Sequence, residues 1–349
     1  MTASPHTATP DTGERARRRR RPMPAGRAFV VIVVCLFVWT ILYAPELRRS
    51  AAAGPVGTRR TLSLALLAPV VWVSDHVRLT DVTDAAARAA GRDPNAAIGG
   101  GDAGIDELPP APTIPPKPTK PVVRDTRMRE PTFERQLRVT IVGDSLAAGI
   151  GYFAERVFKP FFVEVFKQGR ISTGLARPDY FNWPTQMQTI VDRADPDLVL
   201  VMLGENDNQG LLYPDGALEQ DIGTFEWASH YEERVERFAS IATSGGGHVI
   251  WIGLPNERDR GRWDFIQKQN GIYRSVADRL PNVAYFDTWN TFAAPDGGYS
   301  AYYRDDNKVR QIRADDGVHF NSDGYTLLME KVAEFAHQEF TLDPKTYET

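Results

Sequence analysis

The chain has 349 residues, 42% hydrophobic and 25% charged, an ordinary globular composition that excludes wholesale disorder and a fibrous repeat. A formal net charge of −4 argues against a general nucleic-acid binder. The single cysteine excludes an intramolecular disulfide, a CxxC redox site and a cysteine-rich zinc site.

In chain order, Arg15 and Arg17 to Arg21 form a cationic cluster, followed by the charge-free run from Ala28 to Ala44. Those residues cover roughly 25 Å as a helix, just enough to span a membrane with help from the flanks. The excess of arginine before the run puts the N-terminus inside and the rest outside. Cys35 lies within the run, so an exported portion carries no thiol, as suits an oxidising compartment. Two alternatives stay open. Ala51-Ala52-Ala53 resembles a signal-peptide cleavage site, although Glu46, Arg48 and Arg49 approach it poorly. The second apolar run, Leu62 to Val73, contains Pro69 and suits an interfacial or re-entrant segment. If it crossed, the C-terminal part would be cytoplasmic. Positions 91–131 then hold nine prolines, five glycines and no aromatic residue, the composition of an extended spacer. The expected division is a basic cytoplasmic tail (1–27), a signal anchor (28–44), a membrane-proximal segment (45–90), a Pro/Gly-rich linker (91–135) and a C-terminal domain (136–345).

From Gln136 onward, strand and helix signals alternate. Strands are predicted at Leu137 to Val142, Phe161 to Phe166, Leu198 to Leu203, Val249 to Leu254 and Val283 to Phe286. Helices are predicted at Ala147 to Phe158, Thr185 to Ala194, Trp227 to Thr243, Asp264 to Leu280 and from Ser322 or Asp323 to Phe340. Regular alternation implies an α/β protein, a three-layer α/β/α sandwich on a parallel sheet with right-handed crossovers. Ligands of such sheets bind beyond the carboxyl ends of the strands. Four polar loops converge there: Gly143-Asp144-Ser145, Gln168 to Pro184, Gly204-Glu205-Asn206-Asp207 and Asp315-Asp316-Gly317-Val318-His319.

These loops supply the parts of nucleophilic catalysis. The Ser145 hydroxyl needs a base within hydrogen-bond reach, and the imidazole of His319 can take its proton and return it to a leaving group. Asp316, with Asp315 as the alternative, can fix the imidazole tautomer and stabilise its cation. The N–H groups of Ser145 and of a glycine in the second loop, Gly174 with Gly169 as fallback, and the side-chain amide of Asn206 are candidate oxyanion donors. Glu205 and Asp207 are read as loop-holding residues. Tyr180, Phe181 and Trp183 could stack on a sugar, and Arg177 could bind a carboxylate or phosphate. The acidic set Asp305, Asp306, Asp315 and Asp316 lacks any His/Cys spacing that would support zinc, and no metal or cofactor is expected.

Taken together, Gly143-Asp144-Ser145, Gly174, Gly204-Glu205-Asn206-Asp207 and Asp316-Gly317-Val318-His319 resemble the four blocks of the SGNH, or GDSL-like, hydrolases, and Leu146 completes the literal G-D-S-L. The resemblance covers about Leu137 to Phe340. The stretch Ser172 to Pro184, with the later Trp251 to Pro255, is similar to a membrane-anchored bacterial subgroup of uncharacterised function. The family implies a flavodoxin-like sheet of five parallel strands, Ser145 as nucleophile, Gly174 and Asn206 as oxyanion donors, and Asp316 with His319 as the rest of a triad. The function expected is an esterase or deacetylase working through an acyl-enzyme, with an O-acylated cell-envelope glycan or small ester as substrate. The alternatives are an O-acyltransferase with the same triad, for which a membrane acyl-donor protein is a candidate partner, and a non-catalytic glycan-binding or scaffold module.

Overall fold

The computed structural model describes residues 25–44, 47–48, 51, 58–76, 127–305, 308–340 and 342. The cationic cluster, the possible cleavage site's second and third alanines, Asp306 and most of the Pro-rich linker lie outside the described residues.

Among the described residues the N-terminal part includes the helices α1 (Ala25–Leu42) and α2 (Thr58–His76), which contact each other. Among the described residues no helix is long and apolar enough to cross a membrane. The 18 residues of α1 reach about 27 Å, short of the roughly 30 Å apolar core of a bilayer. Its large apolar side chains, Phe29, Leu36 and Phe37 among them, are exposed. The second apolar run extends further than its 12 residues suggest, because Thr58 to Thr61 and Ser74 to His76 continue the helix at either end. Arg60 of α2 pairs with Asp179 at 3.6 Å.

The remaining chain builds a sheet of five parallel strands, β1 (Leu137–Gly143), β2 (Val163–Gly169), β3 (Leu198–Met202), β6 (His248–Ile252) and β7 (Val283–Phe286), in the order β2-β1-β3-β6-β7. Both β3 and β6 are buried along their whole length, which is why Leu198–Met202 and, after His248, Val249–Ile252 read as unbroken apolar runs. The edge strand β2 begins two residues later than predicted. Lys159–Phe161 forms a short 3-10 turn containing Pro160, and Phe162 turns the chain with φ 53° before extended pairing can start. It then continues to Gly169 through Lys167 and Gln168, polar residues that an edge position tolerates.

Helix α3 (Ser145–Phe158) joins β1 to β2. Helices α4 (Trp183–Ala194), α5 (Phe225–Thr243) and α6 (Trp263–Arg279) make the other parallel crossovers. The strand order reverses at β1, so right-handed crossovers put α3 on one face and α4, α5 and α6 on the other. The last helix, α8 (Ser322–Phe340), packs against α3 and completes the three layers. A short helix α7 (Thr288–Phe292) and two hairpins, β4–β5 (Leu211–Leu212 with Leu218–Gln220) and β8–β9 (Tyr302–Asp305 with Lys308–Gln311), decorate the carboxyl edge. The reversal of strand order opens a crevice between the ends of β1 and β3, where ligands bind in such sheets.

Candidate active site

Strand β1 runs into α3 through Gly143-Asp144-Ser145. Gly143 has φ +142°, and a Cβ there would lie 1.9 Å from the Met202 carbonyl oxygen, so only glycine fits between the strand ends. Asp144 caps α3, one oxygen accepting from the Leu146 N–H at 3.0 Å. Ser145 follows at the first helical position, where the helix dipole favours negative charge. The loop before α8 brings His319 to it. His319 Nε2 lies 2.8 Å from Ser145 Oγ, and Nδ1 lies 2.7 Å from Asp316 Oδ2. The other Asp316 oxygen accepts from the Val318 and His319 N–H groups at 2.8 and 3.0 Å. Partial burial pushes the Asp316 carboxyl up. The hydrogen bonds from Val318 and His319, with the imidazole charge, outweigh that and hold it below its ordinary value. An ionised carboxylate only accepts, so Nδ1 carries the proton of a neutral imidazole and Nε2 faces the hydroxyl with a lone pair.

Two buried aspartates hold the other loops. The second oxygen of Asp144 accepts from the Gly204 and Glu205 N–H groups at 3.0 and 2.9 Å, tying the first loop to the third. Burial, helped by the charge of Glu205, pushes the Asp144 carboxyl up to about 7 against the opposing pull of its three N–H donors. Asp207 accepts from the Leu175 and Ala176 N–H groups at 2.9 and 2.8 Å, and from the Tyr231 hydroxyl at 2.7 Å. Burial raises its pKa as well. Tyr231 is within 2.9 Å of the Tyr273 hydroxyl, which donates to the Leu203 carbonyl, and Gln269 donates to the Gly204 carbonyl. These groups from α5 and α6 form the floor of the third loop. Nothing in their helical spacing separates them from ordinary core residues, and the sequence reading passes over them.

The candidate oxyanion donors lie on the clamped loops. A Cβ on Gly174 would stand 1.9 Å from Asp207 Oδ1, so glycine permits the clamp. Asn206 reaches across, donating one amide hydrogen to the Thr173 carbonyl at 3.0 Å and keeping the other. Among the described residues, neither the Ser145 N–H nor the Gly174 N–H donates to another protein group. Gly169 ends β2 opposite Gly143, and a Cβ there would meet the Ala148 nitrogen at 2.5 Å. Close packing against α3 accounts for that glycine.

The substrate-contact residues read from the sequence fare differently. Arg177 is buried, with a bidentate pair to Asp179 at 2.8 and 3.0 Å and a third bond to Gln209 at 3.3 Å, so its fork is committed within the protein. Trp183 is fully buried. Its indole donates to Thr173 Oγ1 at 3.0 Å and stands edge-on to Phe181, so it braces the second loop and offers no face to a sugar. Tyr180 is half-buried, its N–H bonded to the Arg177 carbonyl. Glu205 is held by Arg262, and Arg262 also pairs with Glu257 at 3.2 Å. Behind His319, buried Arg313 donates to the Val318 carbonyl at 2.8 Å.

The chain belongs to the family described as protein of unknown function DUF459, which it matches over residues 138–334. The strand order and the four blocks at the carboxyl edge accord with an SGNH-like family. Similar solved structures include a GDSL-like lipase from Bacteroides thetaiotaomicron, 15% identical over 60% of this chain and 92% of that chain, with a TM-score of 0.40. A carbohydrate esterase family 3 protein from Talaromyces cellulolyticus is 15% identical over 58% and 97%, TM-score 0.39. The psychrotrophic esterase EstA from a Pseudoalteromonas species is 10% identical over 58% and 96%, TM-score 0.38. No match is found among curated proteins.

Proposed function

We propose that the protein is a serine-dependent acyl-ester hydrolase working through an acyl-enzyme. The observation that carries this reading is the continuous chain from Ser145 Oγ through the His319 ring to Asp316. His319 Nε2 takes the hydroxyl proton as Oγ attacks the ester carbonyl, and Asp316 stabilises the imidazolium that forms. The oxyanion is met by the Ser145 and Gly174 N–H groups and by the second amide hydrogen of Asn206. The tetrahedral adduct collapses, His319 returns its proton to the leaving alcohol, and the Ser145 ester remains. Water, deprotonated by the same ring, then releases the acid and restores the hydroxyl. A glycan hydroxyl in place of that water would make the protein an O-acyltransferase with the same residues.

The tether belongs to the same proposal. The cationic cluster before α1 and the exposed apolar surface of that helix support insertion with the catalytic domain outside the cell membrane. Flanking residues and local thinning would supply the missing reach. An O-acylated envelope glycan is the substrate that fits this placement. Alkaline extraction of membranes should leave the chain in the pellet, and release into the supernatant would remove the tether. For the chemistry, Ser145→Ala should lower turnover of small acetyl esters by about 10⁴-fold or more while the melting temperature stays within about 2 °C of the parent. A variant that keeps full activity rules out the mechanism.

A further inference from the structure

The loop from β6 to α6 leaves the sheet at the same edge as Ser145 and carries three arginines in five residues, Arg258, Arg260 and Arg262. Two of them make no bond to the loop of His319 among the described residues. Arg262 is held between Glu205 and Glu257, and Arg260 lies over the Trp263 ring, 5.1 Å from its centroid. Arg258 is different. Its N–H donates to the Gly317 carbonyl at 3.0 Å and its NH1 to the Asp315 carbonyl at 2.9 Å, so it is fixed to the residues on either side of Asp316. The side chain packs against Gly317, where an added Cβ would stand 2.6 Å from Arg258 Cβ, 3.1 Å from Nε and 3.2 Å from Cζ. The Tyr299 ring flanks it, 5.8 Å away.

Arg258 is exposed, and among the described residues its guanidinium makes no ion pair and no hydrogen bond besides the one to Asp315. Asp316 does not need it, because its two oxygens already take the Val318 and His319 N–H groups and the imidazole. A fixed cation with unused donors therefore stands on the loop that carries the base. Asp315 and Asp316 make this rim repulsive to an anion, so an anionic substrate that reacts here needs such a cation.

We infer that Arg258 is a specificity-determining residue that binds a carboxylate or phosphate group carried by the ester substrate. The inference rests on the esterase reading above. It narrows the substrate class to acyl esters with an anionic group close to the scissile bond. The guanidinium fork matches either oxyanion, and a lysine in its place would supply a point charge without the fork.

The test measures kcat/KM of the full chain on three acetyl esters: 4-acetoxybenzamide, which is neutral, 4-acetoxybenzoate and 4-acetoxyphenyl phosphate. The wild type should favour at least one anionic ester over the neutral one by about tenfold, chiefly through KM. Which anion is favoured separates a carboxylate-bearing substrate from a phosphorylated one. Arg258→Ala should bring that ratio down about tenfold, and Arg258→Glu should lower it further. Arg260→Ala, which alters the neighbouring arginine on Trp263, should leave the ratio at its wild-type value. Equal turnover of all three esters, or a preference that survives Arg258→Ala, overturns the inference and leaves the esterase reading standing. A folded protein that turns over none of the three and resists a fluorophosphonate loses both.

Discussion

The floor and the rim of the site use the same side chain for opposite ends. On the floor, Asp144 and Asp207 are fully buried, and between them they accept five backbone N–H groups and one tyrosine hydroxyl. Burial raises the pKa of both. On the rim, Asp316 is half-exposed, partnered by the His319 ring and two adjacent N–H groups, and its pKa is lowered. A carboxylate deep in the floor fixes the backbone and pays for its burial in charge stabilisation. The same group near water stays ionised and is available to orient an imidazole. Burial and partners, not residue type, divide the labour.

The comparison breaks most sharply at Asp316. An asparagine there would present an amide hydrogen to Nδ1, favour the tautomer with the proton on Nε2, and remove the lone pair facing Ser145. Asp316→Asn should therefore lower kcat by about 10² to 10⁴ with little change in KM or thermal stability. Retention of kcat within about threefold would separate Asp316 from the chemistry.

On the floor the expected loss is in stability. Asp207→Ala leaves the Leu175 and Ala176 N–H groups buried without acceptors, at about 1–3 kcal/mol each. Urea unfolding should show a loss of about 3 kcal/mol or more, read as a lower midpoint at an unchanged slope. A change below about 0.5 kcal/mol would show that water replaces the clamp.

Taken per pH unit, the smallest effect is a slope from Asp144. In the unfolded chain its carboxyl ionises near the ordinary value of 3.8, whereas burial pushes the native group up to about 7. Between those values the native state binds more protons, so this residue makes stability fall as pH rises through the window, by at most about 1.4 kcal/mol per pH unit. Asp144→Asn lowers the absolute stability through its mismatched hydrogen bonds but should remove that part of the slope. An unchanged difference between pH 4.5 and pH 7 would mean that the three N–H donors keep Asp144 ionised throughout.

Much of this arrangement is legible in the sequence because its signals are local. The runs at Leu198–Met202 and Val249–Ile252 are apolar throughout, as suits strands buried on both faces, and two of the polar loops follow from where such strands stop. Ser145 stands at the end of β1, and Asp316 and His319 stand in the polar loop before α8. What the sequence conceals depends on burial. Trp183 sits in a stretch that reads as an aromatic loop, yet Asn182 caps α4 by accepting from the Thr185 N–H and Pro184 occupies its first turn, a start signal that places Trp183 inside the helix. Arg177 has its partner two residues away in Asp179, but only the fold reveals that the pair is closed off from solvent. The hairpin β8–β9 has two strands of four residues each, mostly polar and without alternation, too short to separate from a loop.

The central claim is that Ser145 is an activated nucleophile, and covalent capture tests it directly. Incubation of the folded chain with a fluorophosphonate, followed by intact-mass and peptide mass spectrometry, should give one adduct per chain on Ser145, and His319→Ala should slow its formation by orders of magnitude. A folded protein that takes up no adduct, or one that is labelled equally well in Ser145→Ala, would contradict the account.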